Sequence, residues 1–198
     1  MTAVRRGPLP PMAVLDHISA GIFAATMAPL FEGAPRFLGR LAVARPFESL
    51  ANLFARAREI AQAMPIAEQL ELIDAHPRLG APPASMSAMS FVEQGYDREA
   101  AEQAAREAES ERARVAAELD RLNTAYEERF GFRYCVFVAG RPRVALLAGL
   151  EAALRADRLA EIARALDAVV DIAIDRAARL GVAEDVAEDG AALEEATE

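Results

Sequence analysis

The chain contains no tryptophan, no lysine and a single cysteine, and each shortage limits what it can be. One cysteine, Cys135, excludes an intrachain disulfide and leaves no set of thiolates to bind zinc. Aromatic residues make up only 6% of the sequence, while hydrophobic residues, many of them alanine, make up 53%. This balance favours close-packed helices over a β-sandwich, which needs more β-branched and aromatic side chains. At 198 residues the chain is long enough for one domain with its own core.

Negative charge is concentrated at the C-terminal end of the sequence. Seven acidic residues and no basic residue fall within residues 183–198, whereas the formal net charge of the whole chain is −9. The rest of the chain is therefore close to neutral, and no basic face stands out, so we expect no nucleic-acid partner. No apolar run approaches the roughly 20 residues that span a bilayer, and residues 1–11 do not resemble a signal peptide. We therefore expect a cytoplasmic protein without membrane association.

Hydrophobic periodicity divides the sequence into one helical domain and two flanking segments. We predict a flexible lead over residues 1–12, a helical domain over 13–182 and a disordered acidic tail over 183–198. Helical spacing and end signals predict helices at about 13–27, after Pro35, after a Ser49 cap, after Pro65, from Ser90 to about Arg129, and at about 142–155 and 157–180. Residues 132–138 are the only strand-like run, and one strand makes no sheet. The sequence predicts an all-α, single-domain multi-helix bundle with one short extended connector.

The stretch of residues 73–94 combines the side chains best suited to chemistry. His76 is one of only two histidines, and Pro77 disfavours the α conformation at the residue before it, which places the imidazole at a helix end. Histidine titrates at a pH of about 6.5, and a nearby carboxylate would hold its tautomer and raise its pKa. By periodicity alone, a histidine at a helix end is more often a capping or solvated residue than a catalyst.

Ser90, Glu93 and Gln94 follow a proline-rich turn and have two interpretations. Ser-x-x-Glu at a helix start is a capping box, in which both side chains satisfy free backbone N–H groups. Gln94 has no part in such a motif, and a histidine, a carboxylate and an amide that converge on one loop could make a small acid–base site. Asp74 and His76 do not share a helix face, so they form a poor metal pair and we predict no metal site.

Four arginines stand where each could bind a carboxylate with two hydrogen bonds, namely Arg45, Arg78, Arg141 and Arg155. The alternative for each is an ordinary surface arginine, because a chain with 22 arginines places some near any site by chance. Only the position of Arg78 directly after Pro77 favours it over the others.

Several of these residues, in this order, resemble the motifs of the OHCU decarboxylase family, whose members decarboxylate 2-oxo-4-hydroxy-4-carboxy-5-ureidoimidazoline (OHCU). The motifs are Ala75-His76-Pro77-Arg78-Leu79-Gly80, Ser90-x-x-Glu93-Gln94 and Leu122-Asn123-x-x-Tyr126-x-x-x-Phe130-Gly131-Phe132, with Phe31-Glu32-Gly33, Arg45-Pro46-Phe47 and Gly140-Arg141 as further family positions. The resemblance extends from about residue 13 to 180. It implies an all-helical, cofactor-free enzyme of urate breakdown, often a homodimer. Such an enzyme converts OHCU to (S)-allantoin and carbon dioxide, after urate oxidase and 5-hydroxyisourate hydrolase.

The resemblance also implies roles for individual residues. His76 matches the proposed proton donor, and Glu93 is expected to bias its protonation, so these two are the candidate catalytic residues. The residues expected to bind the small-molecule substrate are Pro77, Arg78, Ser90, Gln94, Phe132, Tyr134, Val136 and Arg155. The sequence departs from the family pattern at residues 95–97, at 155–161, and in the long, charged stretch between Gln94 and Asn123.

These departures keep two other functions open. A diverged family member would retain the pocket but bind or transform a different small ureido or carboxylate ligand. A non-enzymatic helical interaction module is suggested by the charged segment 98–114 and the acidic tail. The module ranks last, because it would not need His76, Glu93 and Gln94 in this order.

Overall fold

The computed structural model describes residues 7–81, 87–94 and 106–182. Within these ranges the chain forms nine α-helices: α1 (Met12–Leu15), α2 (Ala20–Met27), α3 (Pro35–Val43), α4 (Leu50–Ala63), α5 (Ile66–Asp74), α6 (Ala88–Glu93), α7 (Arg106–Phe130), α8 (Val144–Ala153) and α9 (Arg158–Leu180). The same ranges contain no β-sheet, and their only β contact is an isolated parallel bridge between Leu9 and Val182. The predicted all-α fold class is confirmed.

Most helix starts follow the capping and proline signals of the sequence. The Ser49 hydroxyl accepts a hydrogen bond from the Asn52 N–H at 3.1 Å and caps α4, as predicted. Pro65 directly precedes α5, which ends at Asp74, before His76. The side chain of Asp157 accepts from the Leu159 N–H at 2.8 Å and caps α9. These short-range contacts fix the helices that surround the site.

The first predicted helix, over residues 13–27, is wrong as a single element. The structure divides it into α1 and α2, because Ser19 forms a new N-cap between them. The Ser19 hydroxyl accepts from the Ile22 N–H at 3.3 Å. The apolar pattern continues across the break, so periodicity alone did not show it.

Other parts of the predicted organisation concern the chain ends and two internal segments. Leu9 lies in the segment predicted as a flexible lead, but it is buried, and its N–H donates to the Gly181 carbonyl at 2.9 Å. Residues 1–6, the proline-rich segment 82–86, the segment 95–105 and the acidic tail 183–198 lie outside the described residues. In the described part of the chain, no helix has the length and apolar character needed to cross a membrane.

Helix α9 is the central element of the core. It packs against α4 and α5, while α7 packs against α8 and α2 packs against α3. Its inward face carries fully buried apolar residues, among them Leu166, Val169, Val170 and Ala173. Burial of each large aliphatic side chain contributes about 1.5–3 kcal/mol. The same face then continues into Arg176, a buried charge in the middle of the bundle.

The predicted connector passes between this core and the end of α5. Residues 133–138 belong to neither helix nor strand. The rings of Phe132 and Tyr134 pack edge-on against Tyr126 of α7, with centroids 5.5 and 5.2 Å away. The Arg133 N–H donates to the Asp74 carboxylate at 2.8 Å, which ties the connector to the end of α5. The connector is thereby held next to His76.

Candidate active site

His76 lies just beyond the end of α5 and is only 4% exposed. Its ring Nδ1 is 3.3 Å from the Leu72 carbonyl oxygen. A carbonyl oxygen can only accept a hydrogen bond, so this contact assigns the proton to Nδ1 and the lone pair to Nε2. Nε2 is buried and has no hydrogen-bond partner among the described residues, and the side chain lines a cavity. His76 therefore offers a cavity ligand a free proton acceptor.

The surroundings of His76 keep the imidazole neutral. Burial lowers the pKa of His76 to about 4, and the positive charge of Arg176 acts in the same direction. Glu32 and the Leu72 carbonyl oppose this shift but do not overcome it. A nearby carboxylate acts in the expected direction, but burial and Arg176 outweigh it, so the net shift of the pKa is downward. The carboxylate whose charge favours the imidazolium is Glu32, for which the sequence suggested no role.

Helix α6 carries Ser90 and Glu93 to the cavity, almost one turn apart. The N–H of Ser90 donates to the Ser87 hydroxyl at 3.2 Å, so Ser87 acts as the helix cap. The predicted capping box with Ser90 as its cap is wrong, because Ser87 starts the helix at Ala88, two residues earlier. The Ser90 hydroxyl is therefore free to donate to Glu32 Oε1 at 2.6 Å.

Arg176 of α9 has no exposed surface and binds Glu93 at two points. Its Nε donates to Glu93 Oε1 at 2.6 Å and its Nη2 donates to Oε2 at 2.9 Å. Nη2 also lies 2.8 Å from Glu32 Oε1, and Nη1 donates to the carbonyl oxygens of Pro29 and Leu30 at 3.0 and 3.2 Å. Each guanidinium nitrogen thus has acceptors within the protein, which a buried cation needs to offset its lost hydration. We call Glu32, Ser87, Ser90, Glu93 and Arg176 the Arg176 cluster.

Two carboxylates of this cluster share one cation, and their pKa values move in opposite directions. Burial raises the pKa of Glu93 above its ordinary value, and the bonds from Arg176 offset this only in part. Burial acts in the same direction on Glu32, but Arg176 and the hydroxyls of Ser90 and Ser87 outweigh it, so the pKa of Glu32 is lowered. Of the two, Glu93 therefore takes up a proton more readily.

The loop after His76 is held from several sides. The Gly80 N–H donates to Gln94 Oε1 at 2.8 Å, and the Asn123 side-chain amide donates to the Leu79 carbonyl at 2.9 Å. Gly80 has φ +78°, and a Cβ there would lie 3.3 Å from a Leu119 methyl group, so this position favours glycine. Arg133 donates to the His76 carbonyl at 3.2 Å. Gln94 therefore positions the loop, and the loop positions the imidazole.

The cavity is small and is lined by both polar and apolar side chains. Its volume is about 40 Å³. It is lined by His76, Pro77, Leu79, Ser90, Glu93, Gln94, Ile172, Arg176, Arg179 and residues 134–139. Small-molecule sites usually measure roughly 300–1,000 Å³, so the walls must move apart to admit a heterocycle. The lining thus combines the histidine, carboxylate and amide with side chains of the connector.

The structure brings seven of the ten sequence-predicted site residues to this cavity and leaves three outside it. The seven are His76, Pro77, Ser90, Glu93, Gln94, Tyr134 and Val136, whose roles remain predictions. Arg78 points to α7, where its Nε donates to Glu127 at 2.8 Å. Phe132 is buried in the aromatic contact with Tyr126, and Arg155 is exposed just after α8.

The arginine that reaches the cavity differs from the four singled out in the sequence. Arg45 donates to the carbonyl oxygens of Leu15, Ile18 and Ala42. Arg141 donates to the Val138 carbonyl at 3.0 Å. Arg176 was not predicted as a site residue. Its position did carry a signal, since it continues the apolar stripe of Val169 and Ala173 at helical spacing. Glu32 was singled out only as part of the Phe31-Glu32-Gly33 family position, and no role at the site was predicted for it.

The side chains of the cavity are suited to proton transfer rather than to metal binding. Among the described residues, no three histidine, cysteine, aspartate or glutamate side chains are grouped to hold a metal ion. Cys135 lines the cavity, but burial raises the pKa of its thiol to about 12, so the thiol stays protonated. A neutral imidazole, a protonatable carboxyl and a buried guanidinium can together move a proton and stabilise a changing charge.

Comparison with known proteins gives these residues a context. The family model described as OHCU decarboxylase matches residues 16–178. The uric acid degradation bifunctional protein PucL of Bacillus subtilis is 32% identical over 176 residues, which are 89% of this chain and 33% of that protein. The chain thus spans about a third of that relative. The 2-oxo-4-hydroxy-4-carboxy-5-ureidoimidazoline decarboxylase of Haloferax volcanii is 30% identical over 159 residues, which are 80% of this chain and 89% of that protein.

Solved structures show the same fold at lower sequence identity. A crystal structure of OHCU decarboxylase in the presence of (S)-allantoin superposes with a TM-score of 0.56 at 21% identity, covering 77% of this chain and 94% of that one. A crystal structure of (S)-allantoin synthase gives a TM-score of 0.58 at 18% identity, covering 86% of this chain and 54% of that one. Together with the match over residues 16–178, the relatives confirm the family predicted from the motifs. This chain belongs to the OHCU decarboxylase family.

Proposed function

We propose that the chain decarboxylates OHCU to (S)-allantoin and carbon dioxide in urate breakdown, as a carbon–carbon lyase that uses no cofactor. The observation that carries the proposal is the unpaired Nε2 of His76, which is buried against the cavity beside Glu93 and Ser90 in a chain of this family. The Haloferax volcanii relative, most of whose length aligns, carries the name of this activity.

In this proposal His76 accepts a proton before it donates one, because the free imidazole is neutral. Loss of carbon dioxide from C4 of OHCU leaves an electron pair that the ring takes up, and one proton from solvent neutralises the ring nitrogen. The C4 hydroxyl then belongs to an enol. Nε2 removes the hydroxyl proton as the carbonyl of allantoin forms, and returns that proton to C5 from one face. A single base fixed beside one face of the ring gives a single enantiomer.

Arg176 supports this reaction without binding the substrate itself. Its Nε, Nη1 and Nη2 all donate to acceptors of the protein, so no donor is left for the carboxylate of OHCU. It holds Glu93 at the cavity wall, where the carboxylate can accept hydrogen bonds from the N–H groups of the substrate. Residues 134–138 line the same cavity, and we expect backbone groups among them to bind another edge of the ring.

The direct test is circular dichroism of allantoin formed from urate by urate oxidase and 5-hydroxyisourate hydrolase. OHCU decays without an enzyme to racemic allantoin, so both the rate and the sign of the signal are informative. We expect the protein to accelerate formation of one enantiomer, and His76→Ala to return the trace to the protein-free control. His17→Ala is the matched control, because His17 lies in the turn between α1 and α2, does not line the cavity, and its ring Nδ1 is 2.8 Å from the Ala13 carbonyl oxygen.

A trace with wild-type protein that equals the protein-free control would refute the proposed activity. It would favour the alternative of a diverged family member that binds a different ureido or carboxylate ligand. An increase in melting temperature with such a ligand, without turnover of OHCU, would then support that alternative.

We further propose that two copies of the chain associate and that the protein works in the cytoplasm. The family resemblance supports both statements. Light scattering after size exclusion tests the first, and we expect twice the chain mass of 21.3 kDa. A mass of one chain at micromolar concentration would contradict the dimer.

A further inference from the structure

The Arg176 cluster contains one carboxylate that the proposed reaction does not use. Glu32 lies in the turn between α2 and α3, and its side chain is 14% exposed but does not line the cavity. Its φ is +51°, a left-handed conformation that residues other than glycine, asparagine and aspartate rarely adopt. The turn around it is closed by the Gly33 N–H, which donates to the Ala28 carbonyl at 2.9 Å. Such a conformation persists only where surrounding contacts hold it.

One oxygen of Glu32 receives three hydrogen bonds. Oε1 accepts from the hydroxyls of Ser87 at 2.9 Å and Ser90 at 2.6 Å, and from Arg176 Nη2 at 2.8 Å. Ser90 and Arg176 both line the cavity, and Arg176 in turn holds both oxygens of Glu93. Glu32 therefore contacts two side chains that line the cavity without lining it itself, and it joins three segments of the chain.

We propose that Glu32 is a positioning residue for the reaction proposed above, on which this inference rests. It acts as a fixed counterion outside the cavity, which orients Ser90 and Arg176 and sets the protonation of Glu93 and His76.

The charges of the cluster explain why the second carboxylate matters. With both carboxylates ionised, one buried cation faces two anions, so the cluster carries an excess negative charge beside His76. Burial raises the pKa of Glu93, and the charge of Glu32 adds to this rise, while Arg176 and Arg179 oppose it. Burial and Arg176 lower the pKa of His76, and Glu32 opposes them. Tyr134 and Cys135 face the same cavity from the connector as neutral groups.

The consequence has a definite sign. Glu32 stabilises the protonated form of both Glu93 and His76, so its removal lowers the pKa of both groups. If uptake of a proton by either group switches the enzyme off, the acid limb of the activity profile moves to lower pH when Glu32 loses its charge. A residue that only holds the fold would change the rate or the stability and leave the limb in place.

The test is the pH dependence of kcat/KM in the circular dichroism assay, with the two coupling enzymes in excess and a protein-free control at each pH. We expect Glu32→Gln to reduce kcat and to move the acid limb to lower pH by roughly one unit, the shift typical of a charge at close range. Glu32→Asp keeps the charge one methylene further back and tolerates a left-handed φ. We expect its limb to lie between those of the wild type and Glu32→Gln.

Glu68→Gln is the matched control. Glu68 binds Arg40 through two hydrogen bonds of 2.7 and 3.1 Å between α5 and α3, and does not line the cavity. We expect its rate and its limb to equal those of the wild type. Far-ultraviolet circular dichroism confirms folding of each variant, and Glu32→Asp alone decides the matter if Glu32→Gln does not fold.

The possible outcomes separate the two proposals. If the wild type turns over OHCU and both Glu32 variants keep the wild-type limb, the role of Glu32 is wrong while the proposed function stands. If the wild type does not turn over OHCU, the proposed function fails and this inference fails with it. A graded shift from wild type through Glu32→Asp to Glu32→Gln supports both.

Discussion

Helix α9 carries two arginine clusters, and they differ in how their charges are balanced. Arg164 donates to Glu161 Oε2 at 2.9 Å, and the Tyr126 hydroxyl donates to the same oxygen at 2.9 Å. This cluster matches one cation with one carboxylate. Arg176 instead binds Glu93 and Glu32 together, so one cation faces two carboxylates. The first arrangement is neutral, and the second keeps an excess negative charge.

The two clusters also line different cavities beside the connector. Arg164 and Glu161 line an open cleft between residues 134–139 and helices α8 and α9, and Arg164 Nη1 donates to the Cys135 carbonyl at 2.9 Å. Arg176 lines the cavity that contains His76. The balanced cluster contacts the connector backbone through Arg164. The unbalanced cluster leaves Glu93 able to take up a proton, which suits that cluster to chemistry.

The largest expected effect comes from breaking the unbalanced cluster at its centre. Arg176→Leu leaves two buried carboxylates without a cation, so we expect a loss of about 3–5 kcal/mol in the free energy of unfolding at neutral pH. Urea denaturation followed by circular dichroism measures it. We expect a smaller loss at acidic pH, because protonation of the carboxylates removes the unpaired charge. A loss at neutral pH no greater than that of Arg40→Leu, an exposed ion pair worth about 1 kcal/mol or less, would contradict the account of the cluster.

A second effect follows from the neutral His76. Its folded-state pKa of about 4 lies below the unfolded value of about 6.5, so the unfolded chain binds the proton first as pH falls. The associated stability is fully present above pH 6.5 and is lost as pH falls to about 4, by up to roughly 3 kcal/mol. We expect His76→Gln to flatten this part of the stability curve in urea titrations, and His17→Gln to leave it unchanged. Equal slopes for wild type and His76→Gln would refute the shift.

The balanced cluster is expected to behave differently. Glu161→Gln leaves Arg164, whose side chain is 34% exposed, without its counterion, which should cost about 1–2 kcal/mol of stability after solvent screening. Because Glu161 and Arg164 do not line the His76 cavity, we expect the acid limb of the activity profile to stay in place. If Glu161→Gln moves the acid limb to lower pH, as we expect Glu32→Gln to do, the proposed difference between the two clusters is wrong.

The smallest expected effect concerns the helix that carries Ser90 and Glu93. Ser87→Ala removes the cap of α6 and one of the three hydrogen bonds to Glu32, so we expect a loss of about 1 kcal/mol. Thermal unfolding measures it, and Ser49→Ala at the α4 cap is the matched control for an ordinary cap. We expect only Ser87→Ala to reduce kcat. An unchanged kcat would mean that Glu32 is held without Ser87.

The sequence predicted those features that depend on neighbouring residues. Ser49, Pro65 and Pro77 act within one helical turn, so the bounds of α4 and α5 followed from them. Competing local signals were less clear, because Ser87 and Ser90 can each cap a helix and only the fold selects Ser87. Long-range contacts were beyond such signals. Arg155 follows α8 and Arg176 lies on α9, and the surroundings of Arg176 depend on how α9 packs against α4 and α5.

His76 itself shows the same limit. Its place at the end of α5 followed from Pro77, but its protonation state did not. A carboxylate does raise the pKa of His76 as expected, since Glu32 favours the imidazolium. Burial and Arg176 determine the net result, and both arise from segments far from residue 76 in the chain. Glu32 belongs to a motif of the family, but its contact with the cluster depends on a left-handed turn that the sequence did not predict.

The most direct test of the central claim is nitrogen NMR of the His76 ring. His17→Gln leaves His76 as the only histidine in the chain, so its two ring nitrogens give unambiguous signals. At neutral pH we expect a protonated Nδ1, an unprotonated Nε2, and a change at Nε2 when (S)-allantoin is added. Two protonated nitrogens at neutral pH would show that His76 rests as an imidazolium, and would contradict the proton-accepting role proposed for it.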